Sequence, residues 1–142
     1  MNQRQQAHNR YSQVKRETAS DKHIELQLFA SITGKLRTLK NNDNQALTAE
    51  MAQAVLENAK LWNLLFCDLV SKNNELPMEI KNNLISLAEF TQNHTHKILR
   101  AEATADILVE INDSIILGLK SALTSQMNIE KSQKQNQIQE VA

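Results

Sequence analysis

The side chains that could carry chemistry in this sequence are few and far apart. The histidines are His8, His23, His94 and His96, and the only cysteine is Cys67. His94 and His96 are two residues apart, so on a helix they project to different sides and cannot chelate one metal ion. The sequence contains no Glu-x-x-His pair of the kind that builds a di-iron bundle. We therefore predict no metal, no cofactor and no enzyme activity, and we interpret Cys67 as a small buried residue.

One acidic set has helical spacing. Asp106, Glu110 and Asp113 stand at positions i, i+4 and i+7, so they share one face of a helix. They could form an acidic contact surface, or simply a solvated helix face. Charge runs of this kind usually face solvent, which favours the second interpretation.

The residues that break helices and build tight turns are rare. Only Gly34, Gly118 and Pro77 are Gly or Pro among 142 residues, and no Asn-Gly or Asp-Gly pair occurs. Sheet proteins depend on such turn residues, so this scarcity predicts an all-α fold. It also excludes the Gly-rich phosphate loops.

The same sequence predicts a soluble, cytoplasmic protein. Its longest apolar stretch is residues 64–67, far short of the roughly 20 residues that span a bilayer. The N-terminus has no apolar run typical of a secretory signal. One cysteine permits no intrachain disulfide, which fits a reducing compartment.

Charge is unevenly distributed, although the formal net charge is zero. Residues 1–40 hold eight Lys or Arg and three Asp or Glu, whereas the rest hold eight and thirteen. We interpret residues 1–17 as a basic arm or a short conditional helix. The arm could touch nucleic acid, but only Tyr11 supplies an aromatic ring there, and zero net charge disfavours that partner.

Apolar periodicity predicts four helices in residues 18–123, packed as a small bundle. If the arm is helical, a fifth helix is the open alternative. Ser20 is the candidate N-cap of the first helix, and its expected inward stripe is Ile24, Leu28, Ile32, Leu36 and Leu39.

The other helix bounds follow from turn chemistry. The second helix should run from Leu47 or Thr48 to Val70, and the third should have Pro77 at its first position and end near Arg100. Thr104 could cap the fourth, which should end near Leu123. Residues 124–142 read as a polar tail for which disorder or fraying is preferred. The inner face expected for the second helix is Met51, Val55, Leu56, Leu61, Trp62, Leu65, Phe66, Leu69 and Val70. For the third helix it is Ile80, Leu84, Leu87, Ala88, Thr91, Thr95 and Ile98. For the fourth helix it is Ile107, Ile111, Ile115, Gly118, Leu119 and Ala122.

Three segments, taken in their order along the chain, resemble a known family. They are residues 58–68, which begin Asn-Ala-Lys-Leu-Trp; residues 74–81, Asn-Glu-Leu-Pro-Met-Glu-Ile-Lys; and residues 111–119, which begin Ile-Asn-Asp-Ser-Ile. In this order and spacing they are similar to the bacterial flagellar biosynthesis protein family FlaF. The stretch from Tyr11 to Ser20 is similar to the start of that family, so the resemblance covers about residues 8–122.

The resemblance implies a small helical cytoplasmic protein that binds flagellin as a chaperone and supports its production and export. It also implies work beside a second small regulator, FlbT, which restrains flagellin translation. Two alternatives remain open. One is a post-transcriptional regulator that acts on flagellin mRNA or through FlbT, and the other is a scaffold that binds only that regulator.

A flagellin chaperone would cover an apolar helix, so large apolar side chains are its candidate anchors. The candidates are Trp62, Leu65, Phe66, Leu69, Ile111 and Ile115. For each one, ordinary core packing is the competing interpretation, and Trp62 is the best exception because Trp is enriched at interface hot spots.

A second set of residues belongs to the family-like segments and is expected to be structural: Asn58, Leu76, Pro77, Glu79, Asn112 and Gly118. Asn58 and Asn112 either hydrogen-bond across the bundle or to backbone left unpaired at a helix end, or they are exposed. Gly118 either permits close helix approach or is a break near the end of the last helix.

Overall fold

The computed structural model describes residues 3, 23–39 and 47–141. Helix α1 covers residues 23–39, α2 is Ala49–Leu69, α3 is Met78–Leu99 and α4 is Asp106–Val141. No strand occurs in these ranges, so the prediction of an all-α, four-helix protein is confirmed. The proposed cap at Ser20 and the basic arm lie outside the described residues, apart from Gln3.

Contacts divide the chain into two compact units. The larger unit is Leu28–Ser114, which holds most of α1, all of α2 and α3, and the start of α4. The described residues of the other unit are 23–27 and 115–141. In the described residues, no helix combines the length and apolar character needed to cross a bilayer.

Local chemistry sets the start of α2. Thr48 is extended, and its hydroxyl oxygen accepts a hydrogen bond from the Met51 N–H at 3.1 Å. This is an N-cap, and Glu50 adds a negative charge to the first turn, where the helix dipole favours it. At the other end, the Val70 N–H donates to Phe66 O at 3.1 Å. The predicted bounds of α2 are confirmed to within two residues at its start and one at its end.

The turn after α3 closes the helix with a left-handed residue. The Glu102 N–H donates to Lys97 O, and the Ala101 N–H donates to Ile98 O, both at 2.9 Å. These two bonds form a Schellman motif, in which Gly is the usual left-handed residue. Here Ala101 takes that place with φ of 59°.

Helix α4 differs from its prediction at both ends. It begins at Asp106, and Ala105 O accepts from the Val109 N–H at 3.2 Å, so Thr104 lies one residue too early for the cap. It also continues past Leu123 to Val141, where the sequence predicted a frayed or disordered tail. The reason is composition: after Gly118 the segment holds no Gly or Pro, and Gln, Lys, Glu, Met and Leu all favour helix.

The face that α1 turns inward is not the predicted stripe. Phe29, Thr33 and Leu36 are buried, whereas Ile24 and Leu28 are about half exposed. Of the predicted set, only Leu36 is fully buried, and Ile32 and Leu39 pack at the edge of the core. The error arises because Phe29, Thr33 and Leu36 also have helical spacing, displaced from Leu28 by one residue.

The principal core of the larger unit draws on all four helices and on the end of the α3–α4 connection. Its buried members are Leu36, Ala54, Val55, Ile98, Ala105, Leu108 and Val109. Two contacts show that α1 and α2 run in opposite directions. The Phe29 and Trp62 rings meet, and six residues further along α1, Lys35 Nζ lies 3.2 Å from Glu57 Oε2.

The predicted inner faces of α2, α3 and α4 are only partly right. Ala88, Thr91, Thr95 and Ile98 are buried as predicted, but Ile80 is exposed and Leu84 and Leu87 are only half-buried. On α4, Leu108 and Val109 are the buried apolar residues, whereas Ile107 and Ile111 are half-buried. On α2, Leu56 and Val70 are exposed rather than inward.

Gly118 has neither of its two predicted roles. It is exposed, and a methyl group added there would meet nothing within 4 Å among the described residues, so it does not permit a close helix approach. Because α4 continues for many residues beyond it, Gly118 does not end the helix either.

Candidate partner-binding surface

A chain of hydrogen bonds runs through the interior of the larger unit. Trp62 Nε1 donates to Asn112 Oδ1 at 2.9 Å, and Asn112 Nδ2 donates to Asn58 Oδ1 at 2.7 Å. All three side chains are fully buried. The alternative in which Asn58 and Asn112 bond across the bundle is therefore confirmed, and the exposed alternative is wrong.

This burial changes the interpretation of the strongest predicted anchor. The Trp62 ring meets the Phe29 ring edge-on, with centroids 5.7 Å apart and planes at 87°. Such pairs add stability beyond simple area burial. With no exposed surface, Trp62 offers no side chain to a partner in this conformation, and the same is true of Leu69 at 2% exposure. Both are core residues, as the competing interpretation held.

The remaining predicted anchors are partly accessible. Leu65 and Phe66 are half-buried near the end of α2, and Ile111 is half-buried on α4 within the same unit. Ile115 is half-buried as well and belongs to the other unit.

Exposed apolar side chains are frequent where α2 passes into α3. Five large apolar side chains there are between 42% and 70% exposed: Leu64, Val70, Leu76, Met78 and Ile80. We call these five residues the hairpin-end surface, because α2 and α3 pack against each other as a helical hairpin. Leu65 and Phe66 precede the same turn. Exposed apolar groups concentrated in this way mark interaction sites more often than scattered ones do.

Asn74 fixes the shape of the connection that carries this surface. Its Oδ1 accepts from the Leu76 N–H at 3.0 Å, and its Nδ2 donates to Asp68 Oδ2 at 3.3 Å. Lys81 on α3 donates from Nζ to the Asn74 carbonyl at 2.6 Å. Asn74 thus links the end of α2, the turn and the first turns of α3, so Leu76 is held in a defined position.

The start of α3 explains two more residues of the family-like segment. Pro77 is the N-cap of α3 and not, as predicted, its first helical residue. The Pro77 carbonyl accepts a hydrogen bond from the Lys81 N–H at 3.0 Å. Proline has no N–H to leave unpaired at this end of a helix. Glu79 lies in the first turn, where a negative charge is favourable.

Among the described residues, charged and metal-binding groups do not form a competing site. Arg37 Nη2 donates to both carboxylate oxygens of Asp113 at 2.7 Å, so part of the predicted acidic set is already paired. Within the described ranges, no three His, Cys, Asp or Glu residues could hold a metal ion together. His94 Nε2 instead donates to Thr104 O at 2.9 Å. Cys67 is exposed, which corrects the prediction that it is buried.

The comparison with protein families decides the relationship. The family model of the flagellar protein FlaF matches residues 7–119. The chain belongs to the FlaF family. No curated protein and no solved structure matches it.

Within this FlaF-family chain, the matched range contains both the hairpin-end surface and the Trp62–Asn112–Asn58 hydrogen bonds. It ends at Leu119, so the last twenty-odd residues of α4 lie beyond the family match. The resemblance drawn from the three sequence segments is confirmed.

Sequence reasoning missed most of the hairpin-end surface. Leu64 and Met78 lie off the predicted inner stripes, and the apolar periodicity places Val70 and Ile80 on inner faces. One signal was available: apolar residues cluster on both sides of the turn at 71–77, including positions outside either stripe. Two short amphipathic stretches that meet at a turn cannot bury residues on every side.

Proposed function

We propose that this chain is a cytoplasmic flagellin-binding chaperone that covers an apolar helix of flagellin and so supports flagellin production and export. Membership of a family whose model is named for a flagellar protein supports the biological context. The hairpin-end surface is the observation that carries the proposal, because it presents apolar groups on an ordered turn. Amphipathic helices dock on surfaces of this kind.

The number of exposed apolar side chains limits the free energy of binding that the hairpin-end surface can contribute. Full burial of one large aliphatic side chain is worth about 2 kcal/mol, so covering five half-exposed ones gives on the order of 5 kcal/mol. A micromolar complex needs about 8 kcal/mol. Leu65 and Phe66, half-buried beside the same turn, are the residues that extend the contact.

A titration with purified flagellin tests the proposal. The double variant Leu64→Gln with Met78→Gln replaces two apolar side chains with amides and nearly keeps helix propensity. We expect the double variant to bind flagellin at least about tenfold more weakly than the wild-type protein. Isothermal titration calorimetry gives the affinities, and circular dichroism confirms that the fold is kept.

Leu117→Gln is the matched control, because Leu117 is 68% exposed but lies on α4 in the other unit. It should bind as the wild type does. If the wild-type chain does not bind flagellin at micromolar concentrations, the chaperone proposal fails. If it binds and the double variant binds equally well, the hairpin-end surface is not the contact.

The same titration separates the alternative regulator from the chaperone. Between residues 64 and 84 the charged residues are Asp68, Lys72, Glu75, Glu79 and Lys81, which nearly balance. The affinity of an apolar contact surrounded by these nearly balanced charges should depend weakly on salt concentration. The affinity for mRNA should instead fall steeply as the salt concentration rises. Co-purification with FlbT from cells that lack flagellin would favour the scaffold instead.

A further inference from the structure

Each helix of the larger unit contributes a buried polar side chain to its interior. Thr33 on α1, Asn58 on α2, Thr91 on α3 and Asn112 on α4 are all at most 1% exposed. We call these four residues the central polar layer. Buried polar groups in native proteins nearly always have hydrogen-bond partners.

The register of the helices places these residues at about one level. The Phe29 and Trp62 rings meet across α1 and α2, which run in opposite directions. Thr33, four residues after Phe29, therefore lies level with Asn58, four residues before Trp62.

Two further bonds extend this level to the other helices. Asn112 bonds directly to Asn58. Gln92 Nε2 donates to Ala59 O at 2.9 Å, so the neighbouring residues Thr91 and Asn58 lie within about one helical turn of the same height on α3 and α2.

The hydrogen bonds in this layer are incomplete at two atoms. Asn112 uses both its oxygen and its amide, and the Thr33 hydroxyl donates to Phe29 O at 2.6 Å. In contrast, Asn58 Nδ2 and Thr91 Oγ1 are buried with no partner among the described residues.

Thr91 is unusual among the buried threonines. The hydroxyls of Thr33 and Thr95 both donate to the carbonyl four residues earlier, Thr95 at 2.7 Å to Thr91 O. The Thr91 hydroxyl does not make that bond, so it remains available to a group in the interior. Asn58 Nδ2 is a donor, and Thr91 Oγ1 can donate or accept.

We propose that one buried water molecule binds between Asn58 Nδ2 and Thr91 Oγ1. The water accepts a hydrogen bond from the Asn58 amide and exchanges a second with the Thr91 hydroxyl. Internal waters typically make two to four such bonds to otherwise unsatisfied polar groups. The site completes the central polar layer and joins α3 to the Trp62–Asn112–Asn58 hydrogen bonds that already link α2 and α4.

The sign of one stability change tests this site. Thr91→Val keeps the branched shape but removes the hydroxyl. With a bound water, the substitution also leaves Asn58 Nδ2 without its partner, so the folding equilibrium constant should fall about tenfold. Without the water, Thr91→Val replaces an unpaired hydroxyl with a methyl group, and the constant should stay unchanged or rise, which would overturn the proposal.

Thr95→Val is the matched control, because it removes a buried hydroxyl that is bonded only to a helix carbonyl. Its effect should be smaller than that of Thr91→Val, and an equal or larger effect would contradict the bridge. Urea unfolding of the full chain supplies both values.

Direct observation of the water completes the test. Nuclear magnetic resonance should show magnetisation transfer from a long-lived water to the Asn58 side-chain amide, lost in Thr91→Val. If the amide instead contacts the Thr91 hydroxyl with no water between them, the proposal is wrong.

Discussion

The two ends of the Leu28–Ser114 unit hold the same kinds of side chain in opposite environments. Near the α3–α4 turn, Leu36, Val55 and Leu108 have no exposed surface, whereas at the other end Leu64 and Met78 are about two-thirds exposed. Four helices supply the buried end, while α2, α3 and their connection supply the exposed one. Apolar content does not separate the two ends; the number of covering elements does. We infer that stability resides at the buried end and in the central polar layer, and binding at the hairpin-end surface.

The largest expected effect comes from the interior. Trp62→Ala removes the ring that packs on Phe29 and the donor to Asn112, so it should destabilise the fold by about 4 kcal/mol. Urea unfolding measures this directly. Trp62 would be a contact residue if the Trp62→Ala protein were as stable as the wild type but no longer bound flagellin. That result would contradict the assignment of stability to the interior and of binding to the hairpin-end surface.

At the hairpin end, Asn74→Ala should cost much less stability. The loss of two side-chain hydrogen bonds is worth about 1 kcal/mol on this partly exposed turn. Flagellin binding should weaken by more than this small loss would suggest, because Leu76 is no longer held in position. Asn73→Ala, one residue earlier and exposed, is the control for both measurements. Equal binding by the two variants would show that the order of the turn is irrelevant to the contact.

The smallest effect has the opposite sign and belongs to the buried end. Ala101 has φ of 59° in the Schellman motif after α3, a conformation that costs an alanine about 1 kcal/mol. Ala101→Gly should therefore raise the unfolding free energy by about 0.5 to 1 kcal/mol in thermal or urea unfolding. Flagellin affinity should not change. A change in flagellin affinity on this substitution would show that the buried end influences binding at the hairpin-end surface, against the prediction.

The sequence predicted helix bounds better than helix faces. Thr48 and Pro77 mark helix starts through chemistry that acts within a few residues, so their roles can be read locally. Which face turns inward depends on neighbours that are distant in sequence. Phe29 rather than Leu28 is buried because Trp62 lies opposite it, and no single-chain periodicity contains that information.

The candidate site shows the same limit. The residue type of Trp62 favours a contact role, but the environment that decides between core and contact residue is set by Phe29 and Asn112 on other helices. The sequence marks Leu76 and Pro77 only as residues of the family-like segment. Their place beside an exposed apolar surface depends on the turn geometry that Asn74 sets.

Trp62 also gives this protein an intrinsic optical reporter. It is the only tryptophan of the chain, and its fully buried ring lies edge-on to Phe29. Its fluorescence therefore arises from one buried environment, and it should shift to longer wavelength when the interior opens to bulk water. A ligand that docks on the hairpin-end surface should leave that emission almost unchanged. One spectrum can thus tell whether a flagellin complex contains the bundle intact or rearranged.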